Sequence, residues 1–80
     1  MSELLAQVAE QLVAARTRLG YDIEFAAQLA HLEPEKLAEA EAGESALGED
    51  ELQALADAYD VAVTAFFGGR VTPVQYLFGA

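Results

Sequence analysis

Apolar residues recur every three or four positions along this chain of 80 residues, and glycine, proline or aspartate interrupts the recurrence before any run grows long. This spacing places apolar side chains on one face of an α-helix, and that face must be buried against another element. The sequence therefore predicts several short amphipathic helices that pack on one another. In the first helix, which Ser2 can cap and Gly20 ends, the apolar stripe consists of Leu5, Val8, Leu12, Ala15 and Leu19.

The second and third helices are predicted to follow each other closely. Asp22 has the side chain of a typical N-cap and can start a helix over Ile23–Ala30. The residues of this helix that are expected to pack inward are Phe25, Ala26, Leu29 and Ala30. A third helix is predicted over Pro34–Ala42 with Glu33 as its N-cap, because proline at the first helical position loses no hydrogen bond there.

Two more helices and an apolar tail complete the expected architecture. A fourth helix begins after Gly48 with acidic residues that suit the positive end of the helix dipole. Its inner stripe consists of Leu52, Leu55, Ala56 and Tyr59. Asp60 interrupts it, and a short fifth helix carries Val63, Phe66 and Phe67. The chain is thus expected to be an all-α domain of five helices over residues 1–69, with a C-terminal arm over residues 70–80.

Charge and composition exclude several classes of protein. There are 14 acidic and 4 basic residues, which give a formal net charge of -10 and a pI near 4.1. This charge disfavours nonspecific attraction to nucleic acid or to an anionic membrane. No apolar run approaches the ~20 residues that cross a bilayer, and the N-terminus is acidic rather than basic. A soluble, cytoplasmic protein is expected.

The residues that carry chemistry are sparse. The absence of cysteine removes disulfides, thiolate zinc sites and cysteine nucleophiles. His31 is the single histidine and lies in a predicted turn, where a structural role is favoured over a metal site. No carboxylate pair stands out as a general acid and base. The sequence therefore predicts no enzyme, no metal and no cofactor.

The order of these helices resembles the lambda-repressor-like helix-turn-helix family, which is also named for the Cro repressor and the xenobiotic response element. The resemblance covers roughly residues 8–67, and its clearest anchors are the stretches ARTRLGYD, AEAEAG and LQALADAYDVAVTAFF. Members of the family place their second and third helices as the helix-turn-helix, and the third helix enters the DNA major groove. The anchors are mostly scaffold positions, so they speak for the fold more than for the activity.

Carried onto this chain, the family pattern implies a recognition helix whose exposed front is formed by Glu33, Glu35, Lys36 and Glu39. The family usually has serine, threonine, glutamine or arginine there, and glutamine at the position of Ile23. The resemblance also implies a structural ion pair between Arg16 and Glu41. The departures from the family pattern therefore fall on the residues that would bind DNA.

Charge argues further against unaided DNA binding. Residues 33–60 contain ten acidic residues and one basic residue, Lys36, which is three residues from Glu33 and from Glu39 and is expected to be neutralised within its own helix. Phosphate contacts dominate the affinity of DNA-binding modules. If DNA is bound, the candidate phosphate contacts are Arg16, Arg18 and Arg70.

The C-terminal arm is the densest remaining apolar segment. Pro73 limits it to an edge strand or an extended arm. The sequence leaves two alternatives open: the arm folds back over helices one and five, or it supplies a dimer contact through Val74, Tyr76, Leu77 and Phe78.

These observations favour a small helix-turn-helix protein with an acidic, degenerate recognition helix, which acts in transcription control through a basic protein partner. The alternative is a sequence-specific DNA-binding regulator that acts as a homodimer. A weaker third hypothesis is a DNA mimic that occupies the DNA channel of another protein.

Overall fold

The computed structural model describes residues 3–68, and within them the chain forms four α-helices and one 3-10 helix. The α-helices are α1 (Glu3–Arg18), α2 (Ile23–Ala30), α3 (Pro34–Glu41) and α4 (Glu49–Tyr59), and the 3-10 helix is Val63–Phe67. No strand occurs in this part of the chain. The expectation of an all-helical fold is therefore confirmed for the described residues, and the bounds of the α-helices lie within one or two residues of the predicted ones.

The prediction of a fifth α-helix is wrong, because the segment Val63–Phe67 forms a 3-10 helix instead. Only five residues separate Ala62 from Gly68, whose φ of 68° closes the element in the left-handed region. A segment this short leaves most of its N–H and C=O groups without α-helical partners, so it adopts the tighter 3-10 pattern. The fold therefore has four α-helices and a terminal 3-10 helix rather than five α-helices.

The helix ends follow from local chemistry. The Asp22 carboxylate accepts a hydrogen bond from the backbone N–H of Phe25 at 2.7 Å, as expected of an N-cap. Two helices are followed by non-glycine C-cap residues in the left-handed conformation, α2 by His31 (φ 59°) and α4 by Asp60 (φ 58°). This conformation ends each helix and turns the chain into the next segment.

The core lies where the apolar stripes of the helices meet. The largest side chains with no more than 1% exposure are Tyr59, Phe66, Phe67, Leu12, Leu37, Leu47, Leu52 and Leu55. The predicted inner stripe of α4 is buried throughout. Leu47 lies in the loop before α4 and was not anticipated, because a single leucine between helices shows no periodicity.

Three predicted packing residues are exposed instead: Leu19, Phe25 and Leu29 have exposures of 40%, 45% and 41%. In α2 the buried side is formed by Ala26, Ala27 and Ala30. Their small side chains bring the helix backbone close to α3 and α4, with which α2 packs, and this turns the larger residues outward. Leu19 lies after the last residue of α1, so it is not part of the buried apolar face of that helix.

The helices pack as one connected arrangement. α1 contacts α3 and the 3-10 helix, while α4 packs on α2 and the 3-10 helix. None of the helices in residues 3–68 is both long enough and apolar enough to pass through a bilayer. The predicted arm, residues 70–80, lies outside the described residues, and so does the predicted cap Ser2.

Candidate recognition surface

Two helices joined by a tight turn present the candidate surface. α2 ends at Ala30, and the backbone N–H of Leu32 bonds to the carbonyl of Ala27 at 2.8 Å, which fixes the turn before α3. Leu37 and Ala40 are buried, with exposures of 0% and 1%, and they orient α3 on the core. The opposite side of α3 therefore faces solvent.

The exposed side of α3, here called the α3 face, consists of Glu33, Glu35, Lys36 and Glu39, all of which are exposed. Glu33 is the N-cap residue, but its side chain makes no capping hydrogen bond. The structure thus brings the four predicted face residues together on one surface. Ile23, at the first position of α2, is half-buried and packs against the core.

The single lysine of this face is already paired, though not as the sequence predicted. Its Nζ forms an ion pair with the Glu51 carboxylate of α4, rather than with Glu33 or Glu39 of its own helix. The side chains are 47% and 26% exposed, so the pair is open to water. Folding brings Glu51 of α4 next to Lys36 of α3, so the lysine pairs across two helices rather than with a glutamate three positions away.

Glu51 has a second partner. Its Oε1 accepts a hydrogen bond from the backbone N–H of Gly48 at 2.8 Å and so stabilises the start of α4. Burial raises the pKa of the Glu51 carboxyl, but the hydrogen bonds from Lys36 and Gly48 outweigh burial and lower that pKa overall. The carboxylate is therefore held in its charged form by both neighbours.

Arg16 and Glu41 form a bidentate ion pair between α1 and α3. Arg16 Nε and Nη2 donate to the two carboxylate oxygens at 2.8 and 2.9 Å, and Nη1 donates to the carbonyl of Tyr21 at 2.8 Å. The side chains are only 15% and 7% exposed. The hydrogen bond to Glu41 raises the pKa of the Arg16 guanidinium. Arg16 is thus engaged within the fold and is a poor candidate for a phosphate contact.

Tyr59 lies near this pair, and the sequence predicts it only as a core residue of α4. It is 1% exposed, and its hydroxyl has no hydrogen-bond partner among the described residues. Burial, with a contribution from the Glu41 charge, raises its pKa to about 12. No feature of the sequence signals this environment, because helical periodicity identifies a buried position but not the polar groups around it.

Of the two remaining candidate phosphate contacts, Arg18 lies in the described part of the chain and Arg70 does not. Arg18 is exposed at the end of α1 and forms no ion pair with any residue in the range 3–68. Arg70 and the predicted dimer contacts lie outside the described residues. No group of three or more histidine, cysteine or acidic side chains in the described range could hold a metal ion.

A short turn after α2 and a third helix, α3, that packs one side on the core and exposes the other to solvent are the features of the helix-turn-helix architecture. Two solved structures share it. The restriction-modification controller protein C.AhdI from Aeromonas hydrophila aligns with a TM-score of 0.76 and 25% identity, over 79% of this chain and 96% of its own. An HTH_3 family transcriptional regulator from Vibrio cholerae aligns with a TM-score of 0.76 and 28% identity, over 90% of this chain and 39% of its own.

These likenesses confirm the resemblance to lambda-repressor-like helix-turn-helix proteins. Both similar proteins are regulators rather than enzymes, in agreement with the prediction that this chain is no enzyme. The chain spans less than two fifths of the Vibrio cholerae regulator, so what that protein does as a whole is a separate matter. No protein-family model matches the chain, and no curated protein matches it.

Proposed function

We propose that this protein is a helix-turn-helix regulator that acts in transcription control, and that its α3 face binds a basic protein partner. The role in regulation is supported by the two structural likenesses, both of which are to regulators. The protein contact is the finer part of the proposal, and one observation carries it. The α3 face has three glutamates that form no ion pair with any residue in the range 3–68, and its lysine is already paired with Glu51.

The charge of the α3 face is unfavourable for DNA because each carboxylate near a phosphate costs on the order of 1 kcal/mol even when it is well screened. A favourable base contact contributes about 1–3 kcal/mol, so several such repulsions outweigh it. Arg16 does not compensate, since it is bound to Glu41 and Tyr21. A basic protein surface would meet the same carboxylates with attraction and rapid, salt-sensitive association.

Sequence-specific DNA binding as a homodimer is the second candidate. The structural likenesses support it more directly than they support a basic protein partner, because they are to regulators of this architecture. The Lys36–Glu51 pair is also exposed, and an exposed pair contributes only about 0–1 kcal/mol, so a phosphate could draw the lysine away. In this mode Arg18 and Lys36 would contact the duplex, and Glu35 or Glu39 could accept from a cytosine amine.

The deciding experiment compares three forms of the full chain. These are the wild type, the double variant Glu35→Lys/Glu39→Lys on the α3 face, and the matched control Glu10→Lys/Asp57→Lys. The control changes the net charge by the same amount at two exposed positions on α1 and α4. Each protein is immobilised and offered fragmented genomic DNA and, separately, a lysate of its source organism.

The proposal predicts that wild-type protein recovers no specific DNA fragment even at about 50 mM salt, where electrostatic binding is strongest. It also predicts that wild type and control capture the same basic protein, and that the Glu35→Lys/Glu39→Lys variant loses it. Specific fragments that are released steeply by salt would overturn the protein contact and establish the second candidate. Equal capture by all three forms would show that the α3 face is not the docking surface.

A further inference from the structure

We propose that Glu51 sets the charge preference of the α3 face, because it holds Lys36 against α4 and so withholds the lysine of that face from an incoming partner. This inference rests on the proposed function, in which the α3 face is the docking surface. It deepens that function by naming a residue outside the face that controls the choice of partner. Glu51 acts through Lys36, so it is a positioning residue.

Lys36 pairs with the most firmly held of three neighbouring carboxylates. Glu33 and Glu39 are each three positions away along the chain, a spacing that permits an ion pair, yet both are exposed and form none with any residue in the range 3–68. The Glu51 side chain is only 26% exposed, and its Oε1 accepts a hydrogen bond from the Gly48 N–H at 2.8 Å. A carboxylate that is already fixed loses less conformational freedom on pairing than an exposed one does. The bond at the start of α4 therefore selects the partner of Lys36.

The two oxygens of Glu51 have separate partners, which makes this carboxylate a fixed charge. Oε1 accepts from the Gly48 N–H, and Oε2 forms the ion pair with Lys36. Burial raises the pKa of the Glu51 carboxyl, but the hydrogen bonds from Lys36 and Gly48 lower it overall, so the group stays ionised near neutral pH. A phosphate that approached Lys36 would compete with Glu51 for the ammonium group and would be repelled by the same carboxylate. Glu51 thus disfavours DNA in two ways.

A polycation experiences the opposite effect at the α3 face. It is attracted by the exposed carboxylates of Glu33, Glu35 and Glu39, while the charge of Lys36 is offset by Glu51. A released Lys36 would repel the polycation and attract a phosphate. The same ion pair therefore shifts the affinities for the two classes of partner in opposite directions, and the difference between these affinities is the specificity.

The test compares two variants of the full chain that have the same net charge. Glu51→Gln removes the charge that holds Lys36 but keeps an amide oxygen that can accept from the Gly48 N–H. The matched control is Glu49→Gln, since Glu49 is exposed at the first position of α4 and forms no ion pair with any residue in the range 3–68. The probes are a short DNA duplex of arbitrary sequence and a decalysine peptide, each titrated from about 50 mM salt upwards.

We expect Glu51→Gln to bind the duplex about fivefold more tightly than Glu49→Gln and to bind decalysine about fivefold more weakly, the upper range for an exposed ion pair. The slope of log K against log salt for the duplex should steepen by about 0.9, because the freed Lys36 adds one phosphate contact. Adding Lys36→Met to both variants should remove both differences. If the duplex binds too weakly to measure, the same comparison is made in the Glu35→Lys/Glu39→Lys background, whose α3 face attracts phosphate.

Equal affinities of the Glu51→Gln and Glu49→Gln variants for both probes would overturn the inference, and so would differences that persist after Lys36→Met. These outcomes are distinct from failure of the proposed function, which is decided by what the wild-type protein captures. Recovery of specific DNA by the wild type would overturn the basic protein partner but not the effect of Glu51. Capture of a basic protein together with equal affinities of the two variants would overturn the effect of Glu51 alone.

Discussion

The two ion pairs that anchor α3 show how differently the same chemistry can act in two parts of one molecule. Arg16 and Glu41 meet through two hydrogen bonds in a site where both side chains are at least 85% covered. Lys36 and Glu51 meet in a site that is open to water, with exposures of 47% and 26%. The first pair is shielded from solvent and salt, whereas the second is screened by both.

This difference explains how the few cations of the chain are used. The buried pair is tied to the scaffold, since Arg16 also bonds to the Tyr21 carbonyl in the loop that leads to α2. The exposed pair neutralises the only cation of the α3 face. Both cations are therefore engaged inside the domain, and the α3 face keeps a negative charge. The comparison predicts that the two pairs respond to mutation with very different magnitudes.

The largest effect is expected when the buried pair is broken from one side. Glu41→Ala leaves the Arg16 guanidinium partly buried without its partner, which should lower the free energy of unfolding by about 3 kcal/mol. Urea denaturation of the purified protein measures this loss. The double variant Arg16→Met/Glu41→Leu should be less destabilised than Glu41→Ala, because neither charge is left alone. A double variant as unstable as the single one would contradict this account.

The next effect is a dependence on high pH that originates beside the buried pair. Burial raises the pKa of Tyr59 to about 12, compared with 10.0 for an unburied tyrosine. Because the folded state holds the proton more tightly, this contribution is complete below pH 10 and is lost as pH rises from 10 towards 12. Between about pH 9 and about pH 11.5 the loss is about 2 kcal/mol.

The control for this pH effect is Tyr59→Phe, which removes the ionisable group and a hydroxyl that has no partner among the described residues. Urea denaturation across the same pH range should show the variant losing about 2 kcal/mol less than wild type. Parallel pH profiles for the two proteins would show that Tyr59 ionises in the folded state as readily as in the unfolded chain.

A smaller effect is expected when the Glu51 side chain is removed, because its bond to Gly48 is lost together with its ion pair to Lys36. Glu51→Ala removes the acceptor for the Gly48 N–H at the start of α4, and this should cost about 1 kcal/mol. Thermal unfolding followed by circular dichroism measures the shift. Glu49→Ala is the control, since Glu49 is exposed at the first position of α4. Equal shifts for the two variants would show that the bond to Gly48 contributes nothing.

The smallest effect is expected at the exposed pair itself. Lys36→Met keeps the aliphatic stem and removes the charge, and the free energy of unfolding should change by less than about 0.5 kcal/mol. Urea denaturation at low and high salt checks this, since the remaining difference should shrink as salt is added. A loss comparable to that of Glu41→Ala would mean that the two pairs are equivalent after all.

The candidate surface shows where sequence reasoning succeeds and where it stops. The family resemblance implies that Glu35, Lys36 and Glu39 face outward, and all three are exposed. Leu37 and Ala40 are buried on the other side of α3. The ion-pair partner of Lys36 could not be predicted in this way. The spacing rule for helices considers residues three or four positions apart, whereas Glu51 belongs to another helix. The exposure of Phe25 and Leu29 likewise depended on how closely the alanines of α2 pack.

The amino-acid sequence is sufficient to place the four α-helices, because apolar periodicity and capping residues such as Asp22 act over a few neighbouring residues. It also determined the acidic character of the chain. Tertiary packing was needed to establish which charges are shielded and that the Tyr59 hydroxyl has no partner among the described residues. Those outcomes depend on distances between segments that are remote in sequence, and chain folding alone sets these distances.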